Sequence, residues 1–140
     1  MIVVFGLSNC DSCRKALTWL RNQQIEYHFV DYRKNVLEES TLSNWIKDVG
    51  WENILNRRSS TWRVLSSEKK RDLTADSAKT LMLEFPTLIK RPIIETGGRI
   101  LINPGFLESP MSLLSIALQF MPIRLLRKKR RAYKLSLIHI

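Results

Sequence analysis

Cys10-Asp11-Ser12-Cys13 places two cysteines one helical turn apart, where an apolar strand over residues 2–5 hands over to a helix expected over 11–22. A helix start gathers about half a positive charge and unpaired N–H groups, which lower a cysteine pKa from about 8.5 to between roughly 3.5 and 7.5. Cys10 is therefore the candidate nucleophile. Cys13 falls on the same helix face and is spaced to attack a mixed disulfide on Cys10, as a resolving thiol does. The pair points to redox chemistry. Two other readings compete. Half of a zinc site would need two more ligands, and the histidines are His28, mid-strand, and His139, in the tail. Two small buried hydrophobes are common, but a strand-to-helix corner hides a side chain poorly. No metal site is expected.

The elements that must hold this pair fit one domain: 140 residues, 44% hydrophobic, suffice for a single core. The start lacks the basic region and long apolar stretch of a signal peptide, and two cysteines do not staple a secreted scaffold. A reducing cytoplasm is the expected location. The net charge of +10 divides unevenly: residues 1–106 hold 16 Lys and Arg against 12 Asp and Glu, residues 107–140 hold 7 against 1. A +4 domain with scattered charge carries no nucleic-acid stripe, so no direct nucleic-acid partner is expected.

Residues 25–32 alternate as a second strand, and with the helix between them strands one and two form a βαβ unit with parallel strands. Cys13, Ala16, Leu17 and Leu20 make that helix's apolar stripe, leaving Arg14, Thr18 and Arg21 outside. Residues 36–86 read as a helical insert. It holds a helix over 38–49 stopped by Gly50, a short helix over 51–55, a basic loop Arg57-Arg58-Ser59-Ser60 before Trp62, and a helix over 72–85 ended by Pro86. Ala75, Ala78, Leu81, Met82 and Phe85 are its expected inner face, and the four tryptophans read as packing. Gly97-Gly98 between apolar runs predicts a hairpin of strands over 93–95 and 99–102. This order describes an α/β protein with a thioredoxin-like fold and an inserted helical subdomain.

The strand, Cys10-Asp11-Ser12-Cys13-Arg14-Lys15-Ala16, Gly50-Trp51, Arg58-Ser59-Ser60-Thr61-Trp62, the Phe85–Ile94 block containing Lys90-Arg91-Pro92, and Gly105-Phe106 together resemble the arsenate reductase (ArsC) and Spx superfamily. The resemblance covers residues 1 to about 106. Arsenate reductases of this type have His-Asn-Pro before the cysteine and serine where Cys13 stands, and they cage the oxyanion with three arginines. Arg58 and Arg91 look like the first two, while the third position falls near Asn103 and is not arginine. Spx regulators, which bind RNA polymerase, resemble this chain in Cys-x-x-Cys followed by Arg-Lys-Ala. Gly50-Trp51 and Ser60-Thr61-Trp62-Arg63 are closer to the YffB-like branch, usually assigned to glutathione-dependent thiol reduction.

The resemblance implies a thiol-disulfide oxidoreductase, either a glutathione-dependent thiol reductase or an arsenate-type reductase. Cys10, Cys13, Arg58 and Arg91 would be its catalytic residues. A Cys10 thiolate would attack sulfur or an oxyanion centre, and the two guanidinium groups would stabilise it and clamp a carboxylate in planar fashion. Arg14, one turn from Cys10, and Pro92, where the fold usually holds a cis proline beside the cysteine, are assigned to the binding side. No bound cofactor is implied; glutathione is the co-substrate. The alternative is a redox-responsive regulator binding RNA polymerase.

From Leu107 the family pattern stops. Residues 111–120 can form one apolar face, but Pro122 breaks it, and the stretch is too short for a membrane span, so no membrane partner is expected. Arg127-Lys128-Lys129-Arg130-Arg131 follows. Leu135-Ser136-Leu137-Ile138-His139-Ile140 is what CTGTCTCTTATACACATC encodes. That DNA resembles a transposon end used in preparing sequencing libraries, so the tail is expected to be an artefact carrying no function.

Overall fold

In the computed structural model the described residues are 1–102. The doubtful tail, with Asn103 and the Gly105-Phe106 pair, lies outside them. The sheet runs β2-β1-β3-β4. Strand β1 (Ile2–Gly6) pairs parallel with β2 (Tyr27–Asp31) and antiparallel with β3 (Ile93–Thr96). The tight Gly97-Gly98 turn, with both glycines at positive φ, returns β3 as β4 (Arg99–Ile102). Helix α1 (Asp11–Asn22) makes the crossover from β1 to β2.

The period-two pattern of β1 builds two cores. Ile2 and Val4 meet Ala16 and Leu20 of α1, together with Ile25 and Ile94. Phe5 points to the other face, against the insert formed by α2 (Glu39–Val49), α3 (Trp51–Ile54) and α6 (Ala75–Glu84). Trp45 is fully buried there, with its ring edge-on to Phe5 at 4.9 Å and its indole N–H donated to Glu95 Oε1 at 2.6 Å. Gly50, at φ +83°, ends α2, its N–H donated to the Ile46 carbonyl.

Three expectations change. Helix α6 begins at Ala75, because Thr74 and Ser77 exchange side-chain and backbone hydrogen bonds in a capping box and Asp72 is held at φ +54°. Ala75 is accordingly exposed, and the inner face is Ala78, Leu81 and Met82. Beyond Ser59 the chain forms two short helices, α4 (Ser60–Val64) and α5 (Ser67–Lys70), too brief to show a period. The Ser59 hydroxyl caps α4 by accepting the Trp62 N–H at 3.1 Å.

The insert is clipped to the strand that follows it. Asn56 N–H reaches the Leu88 carbonyl at 2.7 Å, Lys90 N–H reaches the Ile54 carbonyl at 2.8 Å, and Leu55 and Ile89 form an isolated bridge. Arg91-Pro92, a cis peptide bond, then opens β3. At the same end of the sheet, beside the entry to β3, Gly6 closes β1 directly under Cys13. A methyl group on Gly6 would overlap Cys13 Sγ. Gly6→Ala should therefore overpack this corner and cost about 1–3 kcal/mol. The expected reading is a lower urea midpoint at unchanged m-value, largely restored when Cys13→Ala is combined with it; a wild-type midpoint in the single variant would refute the contact.

Candidate active site

The loop after β1 delivers Cys10 to the start of α1. Cys10 N–H is donated to the Leu7 carbonyl at 3.2 Å, and the Cys10 carbonyl accepts the Arg14 N–H at 3.0 Å. Cys10 is the N-cap residue, with extended φ and ψ, yet its sulfur makes no well-aligned cap bond. What it receives from the Cys13 N–H is a looser, electrostatic contact. The sulfur still gains from the helix start, because three or four N–H groups there lack partners along the chain.

The two thiols titrate in opposite directions. Partial burial pulls Cys10 up, but the Cys13 N–H, the Cys13 thiol and the Arg91 guanidinium together outweigh it and hold Cys10 below its ordinary value. Cys13 is fully buried, and burial pushes it up to about 12, with the neighbouring Cys10 charge adding to the rise and the Leu7 backbone and Arg91 opposing it. Tyr32, buried nearby, is likewise pushed far up, first by burial and then by Cys13. Its hydroxyl has no partner among the described residues. Both cysteines are free.

Cys10 opens into a cleft of about 260 Å³. Leu7 and Asn9 line it beside Cys10. Across from them stand Ser59, Ser60 and Thr61 at the start of α4, with Thr87 and Arg91 from the segment before β3. Thr61 and Thr87 join the two segments through their hydroxyls at 2.6 Å. Arg91 is fixed by donating Nη1–H to the Thr87 carbonyl at 3.0 Å, while its Nε is buried without a partner. Arg33 completes the lining.

Of the sequence-expected residues, Cys10, Cys13 and Arg91 come together here. Arg58 does not join them: it is exposed, its neighbours Ser59 to Thr61 line the cleft, and its backbone N–H is tied to Asn56 Oδ1. Arg14 is also outside the lining. Its guanidinium braces the loop from the outer side, donating Nε–H to the Ser8 carbonyl at 3.2 Å and pairing with Asp11 at 3.7 Å. Pro92 is buried behind the cleft. Arg33 was not anticipated. The signal for it is its place just past the carboxyl end of a strand parallel to β1, where ligands collect in open α/β sheets.

Asp31 holds that edge together. Its carboxylate accepts the Ser8 N–H at 3.2 Å and the Arg33 N–H at 2.8 Å, so one buried group ties the Cys10 loop to the Arg33 turn. The Arg33 N–H is the largest influence on it and, with Ser8 and against the pull of burial, keeps its pKa below the usual carboxylate value. Among the described residues no cluster of His, Cys, Asp and Glu could hold a metal ion, and no helix is long and apolar enough to cross a membrane.

A strand–turn–helix thiol beside a half-buried arginine on this topology defines a thioredoxin-like protein of the arsenate reductase type. Residues 5–109 match the ArsC family, and the chain belongs to it. It is 44% identical over 108 residues to an uncharacterized protein of Haemophilus influenzae, covering 77% of this chain and 93% of that one. The global transcriptional regulator Spx 1 of Lactococcus lactis is 31% identical over 144 residues, covering 99% of both chains. Among solved structures, the YFFB protein superposes with TM-score 0.77 at 35% identity, covering 84% of this chain and 99% of its own. An arsenate reductase (ArsC) related protein from Brucella melitensis gives 0.64 at 38% identity, covering 76% and 91%.

Two measurements test this geometry. The iodoacetamide rate at Cys10 should rise with pH through an inflection below about 8.5, and Arg91→Gln should move that inflection upward and slow the reaction at pH 7. An unchanged inflection in the variant would remove Arg91 from the site. Asp31 contributes stability that is present above its unfolded pKa of about 3.9 and lost as pH falls through its lower folded value. The stability gap between wild type and Asp31→Asn should thus be constant near neutrality and shrink below about pH 4 in acid denaturation; a gap independent of pH would mean Asp31 makes no ionised contact.

Proposed function

We propose that the protein is a glutathione-dependent thiol-disulfide reductase in which the Cys10 thiolate is the nucleophile. The observation that carries this is the partly exposed Cys10 thiol, lowered in pKa and opening with Arg91 into the hydroxyl-lined cleft. In the first step Cys10–S⁻ attacks the glutathione sulfur of a mixed disulfide RS–SG, giving Cys10–S–SG and RS⁻. In the second, a glutathione thiolate attacks the Cys10 adduct and leaves as glutathione disulfide, returning Cys10–S⁻. Arg91 balances the charge on Cys10 in both thiolate states. Cys13 helps to hold that thiol ionised through its backbone N–H and its side chain, and its burial favours release by external glutathione over an internal disulfide. An arsenate-type oxyanion would use the same thiolate and Arg91.

A second reading is a redox-responsive regulator that binds RNA polymerase. The match to Spx 1 over 99% of both chains supports it. Turnover decides between them. With the mixed disulfide of glutathione and 2-mercaptoethanol, in an assay coupled to glutathione reductase, wild type should turn over and Cys10→Ser should lose all detectable activity. Cys13→Ser should keep activity to within about tenfold. Absence of turnover in wild type, with polymerase captured only from the oxidised or only from the reduced protein, would establish the regulator instead.

A further inference from the structure

We propose that Arg33 is the residue that recognises a carboxylate on whatever reacts with Cys10, so that the site selects anionic thiols and disulfides over neutral ones. Arg33 and Arg91 both line the cleft, and among the described residues no acidic one does. They differ in role. Arg91 is committed, through Nη1–H to the Thr87 carbonyl and through its charge to Cys10. The Arg33 guanidinium has no ion-pair or hydrogen-bond partner among the described residues; only its backbone is engaged, through Asp31. A free planar guanidinium at the mouth of a cleft, on a turn fixed by a buried carboxylate, is suited to a bidentate carboxylate contact. The Ser60 hydroxyl, in the same lining, supplies a neutral donor for the rest of such a ligand.

This rests on Cys10 being the thiol that meets substrate, but not on turnover, and the test keeps the two apart. Cys10 is alkylated with iodoacetate, which carries a carboxylate, and with neutral iodoacetamide, both losing iodide to the same thiolate. Arg33→Gln should lower the iodoacetate-to-iodoacetamide rate ratio about three- to tenfold while leaving the iodoacetamide rate and its pH inflection unchanged, with Arg33→Lys falling in between. Lys47→Gln, an equal charge loss on the exposed side of α2, should leave the ratio alone. In turnover, Arg33→Gln should raise KM for a glutathione mixed disulfide more than it lowers kcat.

A ratio unchanged in Arg33→Gln overturns the proposal. So does an equal fall in Lys47→Gln, which would mean a general charge effect, or an equal slowing of both reagents, which would mean a structural one. A lowered ratio in a protein that shows no turnover would leave Arg33 as the anion-recognising residue and remove the reductase reading.

Discussion

Cys13 Sγ rests on the last residue of β1, and that approach is possible only because Gly6 has no side chain. A helix packed on a sheet normally stands about 10 Å away, so letting a sulfur settle on the strand backbone draws the first turn of α1 inward at one point. Three things follow from this contact. The loop from Leu7 to Cys10 has to be short and turned, which its internal hydrogen bond achieves. Cys10 becomes the N-cap, where its sulfur faces outward along the helix start. Cys13 is removed from water altogether. Two identical side chains one turn apart thereby acquire opposite acidities, set by which of them the strand backbone covers.

The amino-acid pattern shows most of the frame. Apolar periods of two and 3.6 are long enough in β1, α1, α2 and the closing hairpin to locate them, and the parallel pairing of β1 with β2 follows from the handedness of the crossover. Where the pattern fails, local hydrogen bonds decide. The start of α6 depends on a reciprocal exchange between Thr74 and Ser77 that competes with the acid at Asp72, and α4 depends on a single serine hydroxyl. Neither leaves a periodic trace.

The site is legible to the extent that its members belong to elements of clear period. Cys10 and Arg91 are fixed by the start of α1 and the entry to β3. Arg58 and Arg33 both sit on turns, and sequence spacing cannot say which turn faces the thiol. The choice is made by Asp31, whose carboxylate binds the Ser8 and Arg33 N–H groups at once and so places the Arg33 turn beside the nucleophile loop. On the other wall, the Asn56 side chain and carbonyl tie down the Arg58 and Ser59 backbone, and the serines and threonine, not the arginine, line the cleft.

The same asymmetry bears on how a Cys10 adduct is released. With burial pushing its pKa up to about 12, Cys13 is far less ionised near neutrality than a free thiol near 8.5. An internal attack therefore starts behind a glutathione thiolate, on ionisation alone. Proximity offsets such a deficit only when the reacting atoms are aligned for attack, and Cys13 Sγ is seated on Gly6. Once Cys10 is capped, its negative charge is gone and that part of the rise in Cys13 is relieved, but the larger part, burial, stays. An internal disulfide, were it the release route of the proposed adduct, would thus be favoured only where external thiol is scarce. For a Cys10 adduct of the kind proposed, burial of Cys13 would leave the choice between the two routes to the supply of external thiol, and the contacts of Cys13 would set where the routes cross.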